Sequence, residues 1–284
     1  MEKSIGKMVK EMFDELYGQL RKSSPLIHCI TNYVAANDCA NILLACGASP
    51  IMSDSEEEAG EVASGCCGLS VNIGTLNRNR LNAMLIAGKA ANEKGIPVVF
   101  DPVGAGFAPS RTAAALKIAE NIRLTAIRGN ISEIRAAASG MSAARGVDAD
   151  PSYSVTEGNI NETAEYLKKL SDKTGAIIAA TGKIDIVASP EKAFCIRNGS
   201  PMLRLVTGAG CQLTAMMTAY IAANPHKPLE AAAAAVCAMG ICGEIAEERM
   251  NGIDGSGSFR VYLMDAVSRL TPEILEERGQ YDII

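Results

Sequence analysis

Ile96-Pro97-Val98-Val99-Phe100-Asp101-Pro102-Val103-Gly104-Ala105-Gly106 is the stretch from which the fold is read. Residues 96–100 are an apolar run without polar alternation, so the strand they predict is buried on both faces. Lys94-Gly95 before it signals a helix C-terminus. Asp101-Pro102 and the glycines behind it end the strand in a turn. The same pattern recurs at residues 26–30, 69–73, 124–127 and 176–180. Helical spacing lies between the runs: Cys39, Ile42, Leu43 and Cys46 fall at i, i+3, i+4 and i+7. Strands alternating with helices predict βαβ units. The expected fold class is α/β, with three layers and a largely parallel central sheet carrying helices on both faces. No repeat or low-complexity linker divides the chain, so residues 1–284 are expected to form one domain. Residues 1–22 read as an amphipathic helical extension and not a signal peptide. Residues 148–159 read as a polar surface loop.

Composition narrows the function classes. The 284 residues are 48% apolar and 21% charged, which suits a globular chain able to bury a large core. A net charge of -5, 4% aromatics and no Trp argue against phosphate-backbone binding and base-stacking platforms. Nine cysteines, an odd number with no C-x-x-C pair, argue against a disulfide framework or a zinc site. They read as small buried hydrophobes in a reducing compartment. No stretch is expected to be apolar for long enough to span a bilayer; the alanines at 231–235 soon meet Glu244, Glu247 and Glu248. A cytoplasmic protein without nucleic-acid or membrane partners is the expectation.

In open α/β sheets ligands sit beyond the carboxyl ends of strands, so the residues there carry the candidate chemistry. Val206-Thr207-Gly208-Ala209-Gly210-Cys211-Gln212-Leu213 combines a glycine-rich turn with a predicted helix over 211–223. Free N–H groups and the positive dipole end then make an anion site, although a tight turn beside a buried Cys is the plainer reading. The segment is neither a Walker A loop nor a complete G-x-G-x-x-G. Asp101, just after its run, suits hydrated Mg²⁺; an Asp-Pro turn would look the same. In Arg128-Gly129-Asn130-Ile131-Ser132-Glu133, helix capping by Asn130 or Ser132 explains the pattern, and a second Mg²⁺-linked carboxylate is the sharper alternative. Arg128 could pair with phosphates. Thr181-Gly182 ends another run. Asn32 and Met52 offer a polar handle and a soft apolar wall to a small ligand, whereas His28 reads as a core histidine.

Taken in order, H-C-I-T-N-Y-V from His28, S-P-I-M from Ser49, D-P-V-G-A-G from Asp101, R-G-N-x-x-E from Arg128, A-T-G from Ala180, V-T-G-A-G-C from Val206 and G-S-G-S-F from Gly255 resemble the hydroxyethylthiazole kinase family, within the ribokinase-like kinases. The resemblance runs from about residue 25 to 270. It implies ATP-dependent phosphorylation of the hydroxyl of 4-methyl-5-(2-hydroxyethyl)thiazole in thiamine salvage, with Mg²⁺ as cofactor. It places Asn32, Met52 and Gly208 at the thiazole alcohol, Arg128 and Thr181 at ATP, and Asp101 and Glu133 at the metal. Ala209, Gly210 and Cys211 form the implied anion hole and catalytic group. It also implies a homotrimer with sites at subunit interfaces. Cys211 stands where ribokinase-like relatives usually carry Asp. A helix N-terminus lowers a thiol pKa and an approaching phosphate raises it, so a positioning role with modest base assistance is expected. The rival readings are a related kinase for hydroxymethylpyrimidine or another small alcohol, a catalytically silent nucleotide-binding protein, and an ATP-dependent repair dehydratase of related fold.

Overall fold

The structure is a computed structural model that describes residues 2–138 and 155–284, with side chains from Met12 onward. Among the described residues, nine strands form one sheet in the order β2-β1-β3-β4-β5-β6-β7-β8-β9. The parallel part holds β1 (Leu26–Ile30), β2 (Ser49–Met52), β3 (Gly68–Asn72), β4 (Val98–Asp101), β5 (Ala126–Gly129) and β6 (Ile177–Ala180). An antiparallel flank adds β7 (Asp185–Ala188), β8 (Ala193–Ile196) and β9 (Tyr281–Ile283). The predicted α/β class with a largely parallel sheet is therefore observed. Every residue of β3, β4, β6 and β8 is buried, as unalternating apolar runs require.

Two separate cores cover the two faces. On one side lie α1 (Glu2–Ser23), α2 (Ala36–Cys46), α8 (Ala209–Ala223), α9 (Pro228–Glu248), α10 (Ser256–Ser268) and α11 (Pro272–Arg278). On the other lie α3 (Ala59–Ser64), α4 (Arg78–Lys94), α5 (Pro109–Asn121), α6 (Ile131–Ala138) and α7 (Ile160–Thr174). The N-terminal helix belongs to the first core. Phe13, Leu16, Tyr17 and Leu20 recur at helical spacing and are buried. The Phe13 ring packs on those of Tyr281 and Phe194, with centroids 4.7 and 5.9 Å away.

Several sequence expectations shift. The strands expected at 96–100 and 124–127 start two residues later and end one and two residues later, so Asp101 and Arg128 lie within β4 and β5 and not after them. β2 contains Pro50, which a sheet accepts here because β2 is an edge strand paired only with β1. Residues 148–154 of the expected polar loop lie outside the described residues. The expectation of no membrane-length apolar segment is corrected: α9 is long and apolar enough by composition. Inside the fold, however, 83% of its apolar window is buried. It is a core helix wedged between the sheet, α8 and α10.

Candidate active site

Parallel pairing brings the ends of β3, β4, β5 and β6 to one edge, and α8 starts beside them. Asn72 is paired in register with Asp101, and Gly129 with Ala180. Asp101 is completely buried. Its Oδ2 accepts hydrogen bonds from Asn72 Nδ2 at 2.7 Å and Thr214 Oγ1 at 2.9 Å, and lies 3.7 Å from Arg128 Nη1. Its Oδ1 is buried without a hydrogen-bond partner among the described residues. Burial pushes the Asp101 carboxyl up to about 6; Arg128 and the Thr214 hydroxyl pull it down, and the nearby Glu133 charge pushes it up again.

Glu133 serves two ends at once. Its Oε2 accepts from Asn130 N–H at 3.0 Å while Asn130 Oδ1 accepts from Glu133 N–H at 2.9 Å. This reciprocal pair is a capping box at the start of α6, so Asn130 and not Ser132 is the cap. Glu133 Oε1 accepts from Gly104 N–H at 2.9 Å and thereby fixes the turn after β4. Each of these oxygens retains acceptor capacity. Among the described residues no group of three His, Cys, Asp or Glu side chains is placed to hold a metal. One unpaired buried carboxylate oxygen plus a nearby second carboxylate does fit hydrated Mg²⁺, which takes few protein ligands and completes its shell with water and phosphate oxygens.

Arg128 bridges the site. Its Nη2 donates to Thr181 Oγ1 at 2.7 Å, so the two residues expected at the nucleotide are bonded to each other. Gly208 has φ 79°, the left-handed region, and turns the chain into α8 as its N-cap. A Cβ there would lie 2.6 Å from the Ala35 Cβ. Gly210 is needed for a different reason: a Cβ would meet Arg128 Nη1 at 2.5 Å. The guanidinium thus rests on the first turn of α8. Ala209 N–H donates to Val206 O at 3.3 Å, and Gln212 N–H begins the helical ladder by donating to Gly208 O at 2.9 Å. The orphan donors of this turn are therefore those of Gly210 and Cys211.

Cys211 is half-buried. Its Sγ lies 3.1 Å from Asn32 Nδ2 and 3.2 Å from Asn72 Nδ2. Burial raises its thiol pKa above the ordinary value and the Asp101 charge adds to the rise; the two amide donors and Arg128 oppose it. The expected lowering by the helix start does not prevail, and the group is a thiol near neutral pH. Met52 ends edge strand β2 opposite Cys29 and is 40% exposed, on the rim. His28 is buried with Nε2 2.8 Å from Ser53 O, and burial lowers its pKa; its Nδ1 has no partner. Sequence reasoning missed Asn72 and Thr214. Asn72 had been absorbed into the run 69–73, where Ser70 and Asn72 alternate on one face.

The largely parallel sheet with helices on both faces is a ribokinase-like fold. A ribokinase-like superfamily protein from Enterococcus faecalis shares the fold, with a TM-score of 0.59 at 13% identity over 89% of each chain. The chain belongs to the hydroxyethylthiazole kinase family, whose model matches residues 17–273. It is 50% identical to the hydroxyethylthiazole kinase of Clostridium acetobutylicum over 271 residues, covering 95% of this chain and 99% of that one. The structure of the Pyrococcus horikoshii hydroxyethylthiazole kinase protein superposes with a TM-score of 0.85 at 32% identity, over 96% and 99% of the two chains.

The two glycines of the helix start make separable predictions. Gly208→Ala should cost on the order of 1–3 kcal/mol in urea unfolding, because it adds left-handed strain to the Ala35 clash. Gly210→Ala should change stability by less than about 1 kcal/mol but weaken ATP binding in calorimetric titration, because it displaces Arg128. Equal loss of stability in both would contradict this division.

The raised Asp101 pKa also fixes a sign. The native carboxyl holds its proton up to about pH 6, whereas an unfolded one loses it near 3.8. Asp101 therefore favours the fold most below 3.8, and that contribution is lost as pH rises through about 6. Ligand-free Asp101→Asn should unfold at higher urea than the parent at pH 7.5, by up to about 3 kcal/mol, with the advantage vanishing by about pH 4. A variant weakened equally at both pH values would refute the assignment.

Proposed function

We propose that the chain transfers the γ-phosphoryl group of ATP to the primary alcohol of 4-methyl-5-(2-hydroxyethyl)thiazole, giving the thiazole phosphate and ADP. The observation that carries the reading is the family match across 17–273, joined to a helix start whose first turn at Gly210 lies against the Arg128 of the Asp101–Arg128 pair. The relatives' names favour this alcohol over hydroxymethylpyrimidine.

Phosphoryl transfer needs alignment and charge stabilisation more than covalent help. Arg128 and Thr181 bind the ATP phosphates. The Gly210 and Cys211 N–H groups receive the oxygens on which charge develops. Asn32, Met52 and Gly208 hold the alcohol, Gly208 by its backbone. Asp101, with Glu133 behind it, would hold Mg²⁺, which when bound offsets triphosphate charge. As a thiol, Cys211 is a poor proton acceptor at neutral pH. Its part is to orient the hydroxyl, and the loose transition state tolerates late loss of the proton.

We assign the whole chain to one kinase domain in which α1 is an integral part of the first core. The resemblance implies a homotrimer whose neighbouring copy completes each site. Tyr33 and Val34, which follow Asn32 in the chain, and Met52 at the end of β2 are exposed apolar side chains that such a copy would cover. A cytoplasmic location agrees with nine free thiols, and cell fractionation would check it.

The direct experiment is ATP consumption with the thiazole alcohol, with the product identified by its mass. Cys211→Ala should lower turnover roughly tenfold, and Cys211→Asp should retain or raise it. Complete loss in a folded, ATP-binding Ala variant would assign the thiol an obligatory chemical step instead. Sedimentation equilibrium should return three times the monomer mass; a monomer with full turnover would remove the shared-site proposal.

A further inference from the structure

Asn72 is the last residue of β3 and almost wholly buried. Its carboxamide can point only one way. Gly74 N–H donates to Oδ1 at 2.9 Å, and a backbone N–H cannot exchange its role, so the oxygen is on that side. The Nδ2 group must then face Asp101 and Cys211. Asn32 is fixed by the same logic, since Ala35 N–H donates to its Oδ1 at 2.9 Å.

The four amide hydrogens are then all placed. Asn32 gives one to Asn72 Oδ1 at 3.0 Å and one to Cys211 Sγ at 3.1 Å. Asn72 gives one to Asp101 Oδ2 at 2.7 Å and one to Cys211 Sγ at 3.2 Å. A thiol sulfur has two lone pairs, and both face an N–H donor. Its own hydrogen is left with the open side of a half-buried group, the side from which substrate must approach.

Resting on the kinase reading of this site, we propose that Asn72 is a positioning residue that, with Asn32, holds Cys211 as a hydrogen-bond donor to the reacting hydroxyl oxygen. One carboxamide ties the sulfur to Asp101, so the thiol and the carboxylate keep a fixed separation. A donated S–H holds the hydroxyl oxygen in line while its lone pair attacks phosphorus. The hydroxyl proton leaves with the developing phosphate ester or through water, and not to sulfur. Were Asn72 only a loop cap for Gly74, its loss would lower stability and leave the behaviour of the sulfur unchanged.

The test compares Asn72→Ala with Ser70→Ala, a change on the same face of β3 that touches none of these groups. Asn72→Ala should lower kcat about tenfold or more while the KM values for ATP and alcohol stay within about twofold. Independently of turnover, iodoacetamide alkylation of Cys211, read by peptide mass because Cys67 is also exposed, should have its pH midpoint moved upward. The thiolate would then have lost one of its two amide donors. Ser70→Ala should leave both readouts at parental values. Should Asn72→Ala fail to fold, Asn72→Ser is measured in its place. An unmoved alkylation midpoint, or a loss confined to KM, would overturn the proposal. Absence of thiazole phosphorylation in the parent would sink the kinase reading alone, since the alkylation comparison needs no turnover.

Discussion

A carboxylate taken completely out of water is costly unless its charge is answered, and the site is arranged around one. Asp101 collects a partner from each neighbouring element: Asn72 from β3, Arg128 from β5 and Thr214 from α8. These meet because parallel strands end together and the helix that follows starts at the same edge. One oxygen is saturated and the other has no partner. That asymmetry leaves Asp101 with acceptor capacity on one side. The elevated pKa is its physical signature, because partial compensation leaves the charge disfavoured.

The helix start supplies the opposite sign. Gly208 turns the chain and Gly210 leaves room for a guanidinium against the first turn. Two positive features, the dipole end of α8 and Arg128, therefore lie together beside Asp101, with the Glu133 charge nearby. Arg128 is held there by Thr181 and Asp101. Cys211 stands at the boundary, with amides on one side and solvent on the other.

Much of this was legible in the sequence because the local pattern and the global fold agree. Residues 26–30 are β1 as predicted, whereas α8 starts at Ala209 and not Cys211, so of G-A-G only Gly208 lies in the turn. What escaped had physical reasons. β8 and β9 pair antiparallel across a long sequence separation, which no local run reveals. β4 and β5 extend past their apolar residues because Asp101 pairs with Asn72 and Arg128 with Ala179, so strand pairing and not hydrophobicity keeps them in the sheet. Asn72 was hidden because a polar residue inside an apolar run contributes nothing to a periodicity, although its amide connects three site residues. The direction of the Cys211 shift depends on burial and on Asp101, a residue 110 positions earlier in the chain, and neither is a property of the helix start alone.

The apolarity of α9 has a consequence for how this protein can change over evolutionary time. Residues 231–235 are five consecutive alanines with no exposed surface, and a Cβ on Gly240 would lie 2.5 Å from the Asn198 carbonyl oxygen. At Gly240 the helix approaches the backbone that follows β8 so closely that only a hydrogen fits. Growth of a side chain there meets backbone, which cannot rotate away, whereas shrinkage removes no more than a methyl. Drift along this face is therefore one-sided, confined to the smallest residues. The helix has the length and apolarity of a membrane span because most of it is buried inside the fold.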